Sequence, residues 1–90
     1  MKIFFLEKSI SFNSLDLNSD RIGGAEKILI NISNELAKYK SLEIKVFNNV
    51  GKRQVISNVE WVNINDYDLK NKPDILIAFS DANLFKNYKS

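Results

Sequence analysis

Two runs of almost unbroken apolar residues mark this chain, one near each end. The first is IFFL at positions 3–6 and the second is ILIAF at positions 75–79. Strands that are buried on both faces have this composition, which is typical of parallel sheets. The pattern therefore predicts strands at 2–6 and 75–79.

The stretch from 25 to 39 has a different pattern, with apolar residues at steps of three and four. This spacing gathers them on one face of a helix, so a helix is predicted over 25–39. Polar residues such as Lys27, Asn31 and Lys38 fall on the opposite face. The face predicted to pack on the sheet consists of Ala25, Ile28, Leu29, Ile32, Leu36 and Tyr39.

Two more segments alternate between apolar and polar residues, EIKVF at 43–47 and VEWVNI at 59–64. Each is predicted to be a strand, and the second an outer one. Strand, helix and three further strands follow the order of a doubly wound α/β domain. A right-handed crossover places the first strand in the centre, with 43–47 on one side and 75–79 on the other.

Residues 80 and 81 are N-cap candidates for a second helix. The sequence thus predicts one Rossmann-like domain over residues 1–90. It would be a partial doubly wound unit of three layers, built around a short parallel sheet. The connection at 7–22 is polar and long for a link between a strand and a helix, so we predict that it is mobile.

Composition excludes several classes of chemistry. The chain has no cysteine and no histidine, so it offers neither a thiolate nor an imidazole base. Its 13 basic and 11 acidic side chains are scattered, which does not favour nucleic-acid binding. No apolar run is long enough for a secretory signal or a transmembrane helix. We therefore expect a cytoplasmic protein.

The glycine pair in RIGGAEK, at positions 21–27, stands directly before the predicted helix. A helix N-terminus offers unpaired N–H groups and attracts anions, and glycine lets a ligand approach the backbone closely. Gly23, Gly24 and Ala25 are therefore candidates for binding a phosphate or sugar, with Arg21 as the nearest cation. The alternative is that the glycines only turn the loop into the helix, and Glu26 in the first turn suits that alternative.

Better-known glycine signatures are absent. A dinucleotide fingerprint needs G-x-G-x-x-G immediately after the strand and an acidic residue after the next strand. Here Asn48 and Asn49 occupy the second position, and the GK[ST] of a P-loop is missing. NAD and ATP are therefore not expected, and the sequence predicts no cofactor.

Four segments of the chain together resemble the start of GT-B glycosyltransferases. They are IFFL at 3–6, GGAEKILINISNELAK at 23–38, EIKVFN at 43–48 and PDILIAFS at 73–80. The sequence is most similar to the retaining enzymes of glycosyltransferase family 4. In that family the glycine loop of the N-terminal domain faces the cleft between two Rossmann-like domains. The resemblance implies that Gly23, Gly24 and Ala25 lie near the diphosphate of a nucleotide-sugar and the acceptor.

The resemblance covers the N-terminal half of a GT-B N-terminal domain. The family's acidic E-x₇-E signature belongs to the second domain and has no counterpart here, and the histidine that many members carry is also missing. The resemblance implies that the chain is a glycosyltransferase fragment that is inactive alone. The full enzyme would transfer sugar from a nucleotide-sugar to a glycan or lipid-linked acceptor in cell-envelope polysaccharide synthesis, and this fragment would form its acceptor side. The alternative is a non-enzymatic Rossmann-like binding or interaction module.

Other side chains are weaker candidates for a functional site. Asp66 and Asp68 form a D-x-D tripeptide, but a solvated loop explains them and no metal site is predicted. Asp81 and Asn83 follow the last strand and are possible acceptor contacts, with helix capping as the alternative. Trp61 with Tyr67 is a possible stacking platform for a sugar, and Trp61 in a core is the alternative.

The strand at 75–79 carries no lysine and no internal proline. An exposed strand edge of this kind is a template for pairing with another chain. We therefore predict a homodimer formed through this edge.

Overall fold

The computed structural model describes residues 1–7 and 11–79. These residues form five strands, one α-helix and two short 3₁₀ helices, at Ser14–Asp16 and Ile64–Asp66. The strands and the α-helix are, in chain order, β1 (Lys2–Leu6), α1 (Gly24–Leu36), β2 (Glu43–Asn48), β3 (Gln54–Ile56), β4 (Val59–Asn63) and β5 (Ile75–Ala78). The prediction of a small α/β domain is confirmed.

All five strands belong to one sheet in the order β3-β4-β2-β1-β5. β1 pairs in parallel with β2 and with β5, and β2 pairs in parallel with β4. The central position of β1, with β2 and β5 on its two sides, is confirmed. β4 lies on the outer side of β2, as an outer strand at 59–64 would, but β3 forms the edge of the sheet beyond it.

β3 was not predicted, and it makes the sheet a mixed one. It pairs with β4 in antiparallel fashion through a turn at Ser57 and Asn58, whose φ angles are 52° and 66°. Two successive positive φ angles are typical of the two-residue hairpin turn. The strand has only three residues and none of them is buried, so no apolar run marked it in the sequence.

The buried face of α1 differs from the predicted one. Leu29 and Ile30 are buried, together with Ser33. Ala25, Ile28, Ile32 and Tyr39 are exposed instead, so their assignment to the packed face is wrong. The pattern hid the true face because Ser33 lies in its middle, where its hydroxyl donates to the carbonyl of Ile30 at 3.0 Å.

The core is divided between the two faces of the sheet. On the face covered by α1, Phe5 and Val46 pack with Trp61. On the opposite face, Phe4 and Phe47 pack against Tyr67, which follows the second 3₁₀ helix. In the described part of the chain that face has no α-helix, and residues 64–67 cover part of it. No helix in that part is long and apolar enough to cross a membrane.

Candidate functional site

The glycine pair lies at the start of α1, as the sequence predicted. Gly23 is the N-cap, in an extended conformation with φ −88° and ψ −173°, and Gly24 is the first helical residue. α1 links the parallel strands β1 and β2, so it begins at the edge of the sheet where the carboxyl ends of these strands lie. In doubly wound sheets, ligands bind at this edge.

The backbone does not need glycine at either position. No glycine in the described residues has a positive φ angle. A Cβ added at Gly24 would meet no atom within 4 Å. Gly23 is accounted for because glycine is accepted at an N-cap. Gly24 has no such explanation, since alanine would fit there and favours a helix by up to about 1 kcal/mol.

A carboxylate already stands near the glycine pair. A Cβ added at Gly23 would lie 3.4 Å from Oε2 of Glu26. Glu26 belongs to the first turn of α1, where a negative charge is favoured by the helix dipole. This carboxylate competes with an anion for the positive end of the helix.

Arg21 also has a partner within the loop. Its guanidinium donates to Oδ2 of Asp16 at 2.8 Å, and the Arg21 side chain is half exposed. Oδ2 of Asp16 also accepts the N–H of Asn13, which caps the first 3₁₀ helix. The Arg21 guanidinium is therefore already paired with a carboxylate of the loop.

The loop before the helix is anchored by buried contacts, since Ile22 at its end also belongs to the core. Phe12 is buried and packs edge-on against Trp61, with ring centroids 5.5 Å apart. Its carbonyl accepts a hydrogen bond from Nδ2 of Asn48 at 2.8 Å. The mobility of the loop stays a prediction, and these contacts anchor the loop at Phe12.

Three polar residues at the carboxyl ends of the strands were not singled out as site residues in the sequence. Glu7 follows β1 and is buried, and its N–H donates to the carbonyl of Phe47. Asn48 ends β2 and Asn63 ends β4. Both asparagines bind the backbone of Val50, through its N–H and its carbonyl respectively. Their position at the ends of apolar strands could have marked them as site residues in the sequence. In the structure the two asparagines hold the connection after β2.

The other candidate residues are not brought together. Trp61 and Tyr67 lie on opposite faces of the sheet, so the stacking platform is wrong and the core assignment of Trp61 is confirmed. Asp66 and Asp68 are exposed, and Asp68 accepts the N–H of Lys70. Within residues 1–7 and 11–79, no three acidic side chains are grouped as a metal site would require. Asp81 and Asn83 lie outside the described residues.

Comparison of the chain with protein-family models, with curated proteins and with solved structures gives no match.

Proposed function

We propose that this chain is the N-terminal, acceptor-side part of a GT-B glycosyltransferase. It would contribute to transfer of a sugar from a nucleotide-sugar to a glycan or lipid-linked acceptor of the cell envelope, in the cytoplasm. The five-stranded sheet would be the first half of a doubly wound N-terminal domain, and catalysis would need a second domain that holds most of the nucleotide.

The observation that carries the proposal is Gly24. It costs helix stability, it has an ordinary backbone conformation, and the space beside it is open. A residue that is unfavourable for the helix and needed by no neighbour fits a position that a ligand approaches. The open space lies at the N-terminus of a 13-residue helix, where backbone N–H groups favour an anion such as a diphosphate.

The neighbouring charges would set how that anion is held. Arg21 would exchange its carboxylate partner, Asp16, for a phosphate oxygen, since guanidinium binds both in the same geometry. Glu26 would move away from the helix end as the phosphate enters. Gly23 and Ala25 would contribute their backbone N–H groups.

Backbone NMR of the ¹⁵N-labelled chain tests this proposal, with UDP as the probe. Millimolar UDP should shift the amide signals of Gly23, Gly24 and Ala25, while the amides of β3 stay in place. Gly24→Ala should stabilise the free chain and weaken this binding, because the added methyl fills the approach to the backbone. No shift at these amides would contradict the proposal.

Gly51→Ala is the matched control. Gly51 is also exposed with open space around its missing Cβ, but it lies in the connection between β2 and β3. Its replacement should leave the UDP-induced shifts unchanged. The wild-type chain alone should transfer no sugar from a nucleotide-sugar, and measurable transfer would overturn the assignment of catalysis to a second domain.

A further inference from the structure

The connection from β2 to β3 crosses the carboxyl end of β4. β4 lies between β2 and β3 in the sheet, parallel to β2 and antiparallel to β3. A chain that leaves the end of β2 and enters β3 must therefore pass β4 where β4 ends. Asn63 is the last residue of β4, and its Nδ2 donates to the carbonyl of Val50 at 2.7 Å. This bond fixes the crossing at the strand end.

Val50 is held between the ends of two neighbouring strands. Asn48 and Asn63 are register partners at the ends of β2 and β4. Oδ1 of Asn48 accepts the N–H of Val50 at 3.1 Å, and the Asn63 amide binds the carbonyl of Val50. Val50 is also buried. Both polar groups of its backbone are thus bonded, so Val50 has a fixed position at these two strand ends.

Phe12 closes the same place from the side of the loop before α1. Its carbonyl accepts Nδ2 of Asn48 at 2.8 Å in a buried hydrogen bond. Its ring belongs to the core on the α1 side of the sheet and packs on Trp61 of β4. Phe12 and Val50 are therefore joined through Asn48, and both polar atoms of the Asn48 side chain are bound within the protein.

This arrangement occupies the place where related sheets hold a ribose. In dinucleotide-binding domains an acidic side chain after the second strand binds a ribose hydroxyl. Here Asn48 ends the second strand and is fully buried. A ribose could reach its amide only by breaking the two buried hydrogen bonds to Phe12 and Val50. A buried polar group that loses its partner is costly, so this end of the sheet is closed to a nucleoside.

We propose that Phe12, Asn48 and Val50 restrict the site at the start of α1 to ligands that this chain recognises through a diphosphate alone. The inference rests on the proposed function, because it needs a diphosphate near Gly24. The first turn of α1 would hold the phosphates, and the nucleoside would point away from the ends of β2 and β4. The chain alone would then bind the diphosphate group equally well with and without a nucleoside attached.

NMR titrations of the ¹⁵N-labelled chain with UDP, methyl diphosphate and uridine test the inference. Methyl diphosphate has the phosphate groups of UDP without its nucleoside. Both diphosphates should shift the amides of Gly23, Gly24 and Ala25, with dissociation constants that agree within about threefold. Uridine should shift none of these amides. The amides of Asn48 and Val50 should shift no more with UDP than with methyl diphosphate.

The outcomes separate this inference from the proposed function. Binding of UDP that is tighter than that of methyl diphosphate beyond this range, or a larger shift at Asn48 and Val50 with UDP, would overturn the inference and leave the proposed function in place. No shift at Gly23, Gly24 and Ala25 with either diphosphate would overturn both. Gly51→Ala is the control, since Gly51 is the exposed neighbour of Val50, and it should change neither dissociation constant.

Discussion

The indole N–H of Trp61 donates to the hydroxyl of Ser14 at 3.0 Å. This bond joins β4 to a loop residue that lies 47 positions earlier in the chain. The same hydroxyl donates to Oδ1 of Asn34 on α1 at 3.3 Å. One serine thus ties the loop before the glycine pair to both the sheet and the helix, and it satisfies a buried indole.

Replacing this serine should destabilise the protein. Ser14→Ala would leave the N–H of Trp61 without an acceptor in the core, where Trp61 is fully buried. A buried donor without a partner costs about 1–3 kcal/mol. Urea unfolding followed by the fluorescence of the single tryptophan measures the loss. Ser41→Ala is the control, because Ser41 is exposed and its carbonyl, not its hydroxyl, accepts the N-terminal amine; a loss as large in the control would contradict this role of Ser14.

The sequence predicted the parts of the fold that apolar continuity determines. β1 and β5 were found from their unbroken apolar runs and β2 from its alternation, and their order follows from a crossover of fixed handedness. The packed face of α1 was found only in part: Leu29 and Leu36 do pack on the core, but spacing alone does not say which of the other apolar residues meet the sheet. β3 was missed because its pairing depends on a turn and not on burial.

The correction of the helix face can be tested directly. Leu29→Ala should lower the free energy of unfolding by about 2–5 kcal/mol, because Leu29 is fully buried and its loss leaves a cavity. Ile28→Ala should change it by less than about 1 kcal/mol, since more than half of Ile28 is exposed. Urea unfolding in dilute protein, where self-association does not contribute, gives both values. Similar losses of unfolding free energy in the two variants would mean that Ile28 packs on the sheet, as the sequence predicted.

At the candidate site the sequence located the glycine pair but not its surroundings. A glycine pair before an amphipathic helix can be recognised from the amino-acid sequence alone. The pairing of Arg21 with Asp16 is not, because it depends on how the 3₁₀ helix at Ser14–Asp16 turns the loop. The absence of positive φ at Gly24 could also be learned only from the backbone, and it removes one structural reason for a glycine at that position.

An ion network on the face opposite α1 predicts a pH dependence of stability. Arg53 donates to Oε2 of Glu60, and Lys45 lies 3.7 Å from Oε1 of Glu60. The hydrogen bond from Arg53 is the main cause that lowers the pKa of Glu60, with Lys45 adding to it and partial burial opposing it. The carboxylate therefore binds protons less readily in the folded chain than in the unfolded one.

The contribution of Glu60 should thus be complete above its unfolded pKa and be lost as the pH falls through its lower folded pKa. Glu60→Gln should lower the free energy of unfolding at pH 7, and the difference from wild type should narrow as the pH falls below about 4. Urea unfolding over a pH series measures both. Glu35→Gln, which breaks an exposed pair with Lys38, is the control. A difference that stays constant down to pH 2 would contradict the assigned role of Glu60.

Hydrogen exchange should separate the loop from the helix that follows it. Amides at 18–21 should exchange fast in the absence of ligand, because this part of the loop lies beyond the anchors at Phe12 and Ser14 and is largely exposed. Amides of Leu29, Ile30 and Ser33 should exchange slowest, since they are buried in α1 against the sheet. Exchange followed by NMR at neutral pH resolves both sets. UDP binding should slow exchange at Arg21 if its guanidinium takes up a phosphate, and equal protection of the loop and the helix without ligand would show that the loop is as stable as the core.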